Sequence, residues 1–284
     1  MNQDGLKGFR PGVRTLINQK SSTLLEFVAE EIAKEPPTLQ LGVLDLIELG
    51  SVYVNEIRTL NPNRRLKPGD TVRIHSSPRR FSPPADLPAR MIAETDDYLL
   101  LDKPAGLPVE PLVDNVKENL ISFLEDLRGQ RFFLVHRLSP ESEGLLVVAK
   151  SQVAAAHISR AFAEGRVKRI YAAYVETPVT SGPDESIRIL STNELKAETN
   201  VLSENRTTWN IIGEPISVAY RLEVEFMNAR PKDVRAYLAS QGAPIIGDHL
   251  HGSQRKLIDA STGKPAMAFK AISLTIGPVR RQIK

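Results

Sequence analysis

A short polar loop lies between two apolar runs in FFLVHRLSPESEGLLVVAKS, residues 132–151. It gathers Ser139, Glu141, Ser142 and Glu143 into one stretch, with His136 and Arg137 just before them. A carboxylate presented this way can attack a carbon centre or accept a proton, whereas a serine hydroxyl needs an adjacent base to react. His136 is the nearest histidine in sequence, and the chain has no G-x-S-x-G elbow, so a hydrolase triad is not supported. Ser139-Pro140 reads instead as the start of a turn, because proline presets the backbone there. Glu141 and Glu143 are the carboxylates that a loop movement would have to bring inward.

A reactive loop needs rigid elements on both sides. FFLV and GLLVVAK read as buried strands, and residues 151–164 as an Ala-rich amphipathic helix. RIYAAYVET is a further strand. AYRLEVEFMNARPKDVRAYLASQGAPIIGD predicts a strand, a turn, a helix stopped by Gly242, and another turn. YLLLDKPAGLPVEP is a strand running into a Pro/Gly loop, and residues 116–128 have helical spacing. The polar stretch 181–215 predicts loops and edge strands.

The clearest break is the proline-rich stretch 76–90, SSPRRFSPPADLPAR. It divides the chain into a small module over 1–80, a linker over 81–90 and a larger domain over 91–284. In the module, Leu24–Ile32 and Leu39–Leu49 have helical spacing, SVYVNEI alternates as a strand, and LKPGDTVRIH is a turn entering another strand.

The 284 residues include no cysteine, which excludes disulfides, thiolate nucleophiles and cysteine-held zinc. No run is apolar enough to span a membrane, and the first residues lack the apolar core of a secretory signal. A cytoplasmic location is expected. The formal net charge of +3 is mild, but basic residues cluster at Arg64-Arg65-x-Lys67, Arg79-Arg80, Arg166-x-Lys168-Arg169, Arg255-Lys256 and Arg280-Arg281. Such clusters point to a polyanionic partner.

Four segments in order resemble the RluA-type pseudouridine synthases: DKPAGLPV (102–109), HRL…GLLVVAK (136–150), RIYAAYV (169–175) and RPKDVRAYLASQGAPIIGD (230–248). The first 80 residues resemble a small ribosomal-protein-type RNA-binding module that commonly precedes such synthases. The resemblance implies an α+β fold, with a mixed, largely antiparallel sheet, a central cleft and flanking helices. It implies isomerisation of uridine to pseudouridine in structured RNA, ribosomal or transfer, with no cofactor and no metal. The target base would have to leave its stack.

In that family an aspartate follows His-Arg-Leu and is the catalytic residue. Here the position is Ser139, and Pro-Glu-Ser-Glu-Gly follows where Arg-Asp-Thr-Ser-Gly is usual. Tyr171 matches the active-site tyrosine, and stacking a base on such a ring is worth about 1–3 kcal/mol. Arg235 matches the arginine that pairs with the catalytic carboxylate. Without that partner it needs another, and Asp233, Glu141 or an RNA phosphate are the candidates. Expected RNA contacts are Arg137, Lys103, Arg166, Lys168, Arg169, Arg230 and Lys232, with Arg64, Arg65 and Lys67 in the module.

Lys232, Tyr237, Ala229 and Lys270 also depart from the family pattern, whereas Pro104, Gly106, Gly144, Leu145, Gly242, Pro244, Gly247 and Asp248 match it. This reads as a retained scaffold with an altered site. The expectation is an RNA-binding homologue with lost or impaired catalysis. The alternatives are an active synthase using Glu141, or a protein-interaction scaffold that no longer binds RNA.

Overall fold

The computed structural model describes residues 12–34, 41–205, 207–227, 229–276 and 279–282, without the side chains of 196–199 and 276–282. Contacts divide the chain into two units, one of 1–83 with 110–123, the other of 84–109 with 124–284.

In the first unit, strands β1 (Val13–Ile17), β2 (Ser22–Thr23), β3 (Val52–Val54), β4 (Ile57–Arg58), β5 (Arg65–Leu66) and β6 (Thr71–His75) accompany helices α1 (Leu24–Ile32) and α2 (Val43–Glu48). The main sheet has the order β1-β6-β3-β4, and β2 pairs with β5. Thr23 starts α1 because its hydroxyl accepts from the Glu26 N–H while the Glu26 carboxylate accepts from the Thr23 N–H, a reciprocal cap. Leu24, Phe27 and Val28 of α1 pack with Ile47, Val52, Val54, Val72 and Ile74. SVYVNEI is not one strand but a hairpin. Asn55 and Glu56 both take positive φ (51° and 64°), the two-residue turn whose twist suits antiparallel strands. The second helix begins at Val43 rather than earlier, and residues 35–40 lie outside the described residues.

In the second unit the strands are β7 (Met91–Glu94), β8 (Tyr98–Lys103), β9 (Phe133–Leu134), β10 (Glu143–Ala149), β11 (Val167–Val175), β12 (Ile187–Thr199), β13 (Val201–Glu204), β14 (Thr207–Ile212), β15 (Ile216–Phe226), β16 (Lys256–Asp259), β17 (Pro265–Ala266), β18 (Phe269–Ile276) and β19 (Val279–Gln282). Helices α4 (Gln152–Ala163) and α5 (Pro231–Ser240) belong to it, and α3 (Leu120–Arg128) crosses the division between the units. The large sheet runs β12-β15-β11-β18-β10-β8-β7, with β19 on β18 and β9 on β10. Among the described strands of this sheet only β10–β18 is parallel, so the sheet is mixed and largely antiparallel. A smaller sheet has the order β13-β14-β16-β17. Trp209, Leu202, Ile211 and Leu257 from it share a core with Ile170, Ala172 and Tyr174 of β11.

The polar stretch 181–215 is more regular than its pattern suggested, since Ile187–Thr199 forms a long strand. As the edge of the sheet, β12 pairs on one side only, and its polar side chains can stay in water. Of the run FFLV, only Phe133–Leu134 joins the sheet.

Candidate functional site

The Ser139 loop joins β9 to β10, and every carbonyl from 139 to 142 is held. Ser139 O accepts from Ser142 N (3.1 Å), Pro140 O from Gly106 N (2.7 Å), and Glu141 O from Met267 N (3.1 Å). Lys103, at the end of β8, is buried and donates from Nζ to the carbonyls of Pro140 (3.1 Å), Ser142 (2.7 Å) and Pro104 (2.8 Å). Three acceptors match the three protons of an ammonium group. Burial nonetheless lowers the Lys103 pKa to about 7, with the charges of Glu143, Glu141 and Asp259 opposing that shift.

Glycine makes this fit possible at two points. Gly144, with φ of 104°, lies so close to β18 that a Cβ there would stand 2.2 Å from the Ala271 carbonyl oxygen. Gly106, with φ of 77°, would meet the Lys264 side chain at the same distance of 2.2 Å. Both positions therefore combine the left-handed conformation with close approach.

Within the loop, the Ser139 hydroxyl faces that of Ser142 at 2.7 Å. Glu141 and Arg137 are exposed. His136 is not a base for Ser139. Its Nε2 accepts the Val147 N–H (3.0 Å), its ring stacks on Phe162 (4.7 Å), and burial, with the Arg169 charge, lowers its pKa to about 3.

Tyr171 on β11 is 2% exposed and packs against Phe226 and Phe269, with ring centroids 5.0 and 4.5 Å away. Burial raises its phenol far above the ordinary value. Arg235 on α5 forms a two-pronged pair with Asp248, through Nε (2.7 Å) and Nη2 (2.6 Å). The idea that Asp233 or Glu141 holds Arg235 is thus incorrect. Asp233 is occupied at the start of α5, accepting from the Arg230 N–H (2.8 Å) and side chain (3.2 Å). Burial pushes Asp248 up, but the bonds and charge of Arg235, with His251 at 3.0 Å, hold its carboxyl below the usual range. Among the described residues, no hydrogen bond, ion pair or ring contact joins Ser139, Tyr171 and Arg235.

The basic residues separate by burial. Lys103 is turned inward. Arg169 stacks on Phe226 (4.6 Å) and donates to the carbonyls of Met227 (2.9 Å) and Ala229 (2.7 Å). Arg166 pairs with Glu164, and Lys168 with Glu225 (2.7 Å). Both Arg166 and Lys168 line a shallow concavity of about 510 Å³ with Ile170, Leu190, Glu225 and Thr275. Arg230, just before α5, and Lys232 within it are exposed. In the first unit, Arg65 and Lys67 are exposed and Arg64 is half-buried. Arg79, Arg80 and Arg255 are paired with Asp114, Glu118 and Glu176, and the side chains of Arg280 and Arg281 lie outside the described residues.

Lys270 and Thr207 form a polar cluster with Glu143 and Asp102 that sequence reasoning did not assemble. The signals were present singly, Glu143 in the loop and Lys270 as a departure from the family pattern. Thr207 lies too far along the chain to be linked to them.

A family model described as RNA pseudouridylate synthase matches residues 97–240, which include the Ser139 loop, Tyr171 and Arg235. The chain belongs to this family. It is 29% identical over 264 residues to an uncharacterized RNA pseudouridine synthase of Aquifex aeolicus, covering 82% of this chain and 81% of that one. It is 28% identical over 219 residues to RNA pseudouridine synthase 6, chloroplastic, of Oryza sativa, covering 67% of this chain but only 46% of that protein. A third relative is ribosomal large subunit pseudouridine synthase C of Vibrio parahaemolyticus, 29% identical over 239 residues, with 77% and 73% covered. No described helix is long and apolar enough to cross a membrane.

Proposed function

We propose that this synthase-family chain binds structured RNA in the cytoplasm and has lost uridine isomerisation. The observation that carries the reading is that every carbonyl of the Ser139 loop from 139 to 142 is bonded. It presents a serine where the chemistry needs a carboxylate, and neither neighbouring carboxylate is free to replace it. Moving Glu141 inward would break the hydrogen bonds to the carbonyls on either side of it and to its own. Glu143 is tied inside the fold to Thr207. A displacement of an ångström already lowers rates by about 100-fold. Arg235, which would face the missing aspartate, is neutralised by Asp248. Similarity to ribosomal large-subunit enzymes makes ribosomal RNA the first substrate to test.

The test is RNA binding across a salt series together with pseudouridine mapping of RNA treated with purified protein. The expected result is salt-dependent binding, since phosphate contacts release counterions, with no new pseudouridine. Pseudouridine formation abolished by Glu141→Gln would establish the active alternative. Absence of RNA binding would favour the scaffold reading, which the pairing of Arg79, Arg80, Arg166, Lys168 and Arg255 with carboxylates supports.

A further inference from the structure

A buried cluster adjoins the Ser139 loop in the chain. Glu143 is the first residue of β10 and stands in register with Lys270 on the parallel neighbour β18. Asp102 on β8 lies opposite Leu145, and is therefore a diagonal neighbour of Glu143 on the same face of the sheet. Thr207 enters from β14. Relative exposures are 0% for Lys270, 1% for Glu143, 3% for Asp102 and 6% for Thr207.

The direction of each hydrogen bond follows from the groups. Lys270 Nζ can only donate, so Thr207 Oγ1 accepts from it at 2.7 Å. The single Thr207 proton then goes to Glu143 Oε2 at 2.5 Å. Lys270 Nζ also lies 3.6 Å from Asp102 Oδ2. This leaves Glu143 Oε1 and Asp102 Oδ1, both buried, without a hydrogen-bond partner. Two carboxylates thus face one ammonium group, and of the charges next to them, that of Lys103 is offset by that of Asp259, so one negative charge stays in excess. Asp259 on β16 adds a further carboxylate, already bonded to the Ser261 and Thr262 amides. Lys103 turns its protons to carbonyls. An excess negative charge in a dry site is strongly unfavourable, and taking up a proton removes it.

We propose that Glu143 is a positioning residue that stays protonated well above the ordinary carboxyl range, its Oε1–H donated to Asp102 Oδ1, so that a neutral Asp102–Glu143–Thr207–Lys270 network fixes the strand leaving the Ser139 loop. The electrostatics agree. Burial, then the charges of Asp259 and Asp102, raise Glu143 to about 7 against the opposing effects of Lys270 and Thr207. Glu143 and Lys270 also replace residues of other types in the family pattern, so the network belongs to this chain's own sequence.

A folded pKa above the ordinary carboxyl value means that the native state holds the extra proton between the two values. The associated stability is complete at acid pH and is lost as pH rises through about 7. The test uses the full chain and no RNA, so its failure is distinct from failure of the RNA-binding reading. Wild type should show the infrared band of a protonated carboxyl at about pH 6, where an ordinary carboxyl is ionised, and Glu143→Gln should lack it. The melting temperature should fall between about pH 5 and about pH 8 in wild type but much less in Glu143→Gln. Glu143→Ala, which removes the acceptor for Thr207, should speed amide exchange at Ser142 and Gly144, whereas Glu143→Gln should preserve protection. Should Glu143→Gln fail to fold, Asp102→Asn provides the second arm, moving the carboxyl titration to lower pH. A band that survives Glu143→Gln, an unchanged pH slope, or an unmoved midpoint in Asp102→Asn would overturn the proposal.

Discussion

The Ser139 loop and the Arg235 corner lie in the same unit and, on the proposed reading of Ser139, meet the absence of one aspartate in different ways. At the loop the backbone is secured, and what changes is the side chain it presents. Lys103, Gly106 and Met267 bond to main-chain carbonyls, so the loop conformation does not depend on the side chain at 139. At the corner a side chain is secured instead. Arg235 keeps a carboxylate, supplied by Asp248 from the turn after α5. Backbone geometry and reactive chemistry are thus separable here. On the proposed reading, a synthase scaffold loses the second without dismantling the first.

The largest effect expected from breaking this comparison is at the corner. Asp248→Ala leaves a guanidinium that is only 14% exposed without its carboxylate, and loss of one partner of a buried pair lowers stability by on the order of 3–5 kcal/mol. Urea denaturation measures it. The double variant Arg235→Met/Asp248→Leu should lose much less than the single one, because no buried charge is stranded.

Lys103→Met tests the loop. It leaves the Ser142 carbonyl without the Lys103 bond, at about 1–3 kcal/mol for a buried acceptor left unsatisfied. It also has a pH signature opposite in sign to that of Glu143. Burial lowers the folded pKa of Lys103 to about 7, so above that pH the unfolded chain binds the extra proton. Wild-type stability should therefore rise from about pH 7 towards the ordinary lysine value, and the rise should be absent in Lys103→Met.

The sequence announced the large-scale plan because its signals are local. Helix α1 was legible from 3.6-residue spacing, and the end of α5 from Gly242. The family motifs located the loop, Tyr171 and Arg235. What was not legible was pairing between distant residues. Asp248 was recognised as a family match but not as the partner of Arg235, since 13 residues and a turn separate them. Lys103 looked like a phosphate contact because a lysine in a loop usually reaches water, and no local pattern reveals three inward carbonyls. The hairpin at Asn55-Glu56 was hidden because alternation continues across a tight turn.

The smallest expected effect concerns Ser139 itself. If the bonds to its carbonyls hold the loop, Ser139→Ala removes, among the described contacts, one hydroxyl contact, that with Ser142. A net hydrogen bond is worth about 0.5–1.5 kcal/mol, and this pair is partly exposed, so the lower end is expected in urea denaturation. RNA affinity should be unchanged, because a neutral hydroxyl releases no counterion. Ser139→Asp supplies the carboxylate on a backbone that the other contacts already hold. Its outcome depends on Arg235, since the new carboxylate must compete with Asp248 for the guanidinium. Pseudouridine formation by Ser139→Asp alone would show that the loop position suffices. Formation only when Asp248→Asn is added would show that the corner, by giving Arg235 another partner, helped to make the loss at the loop permanent.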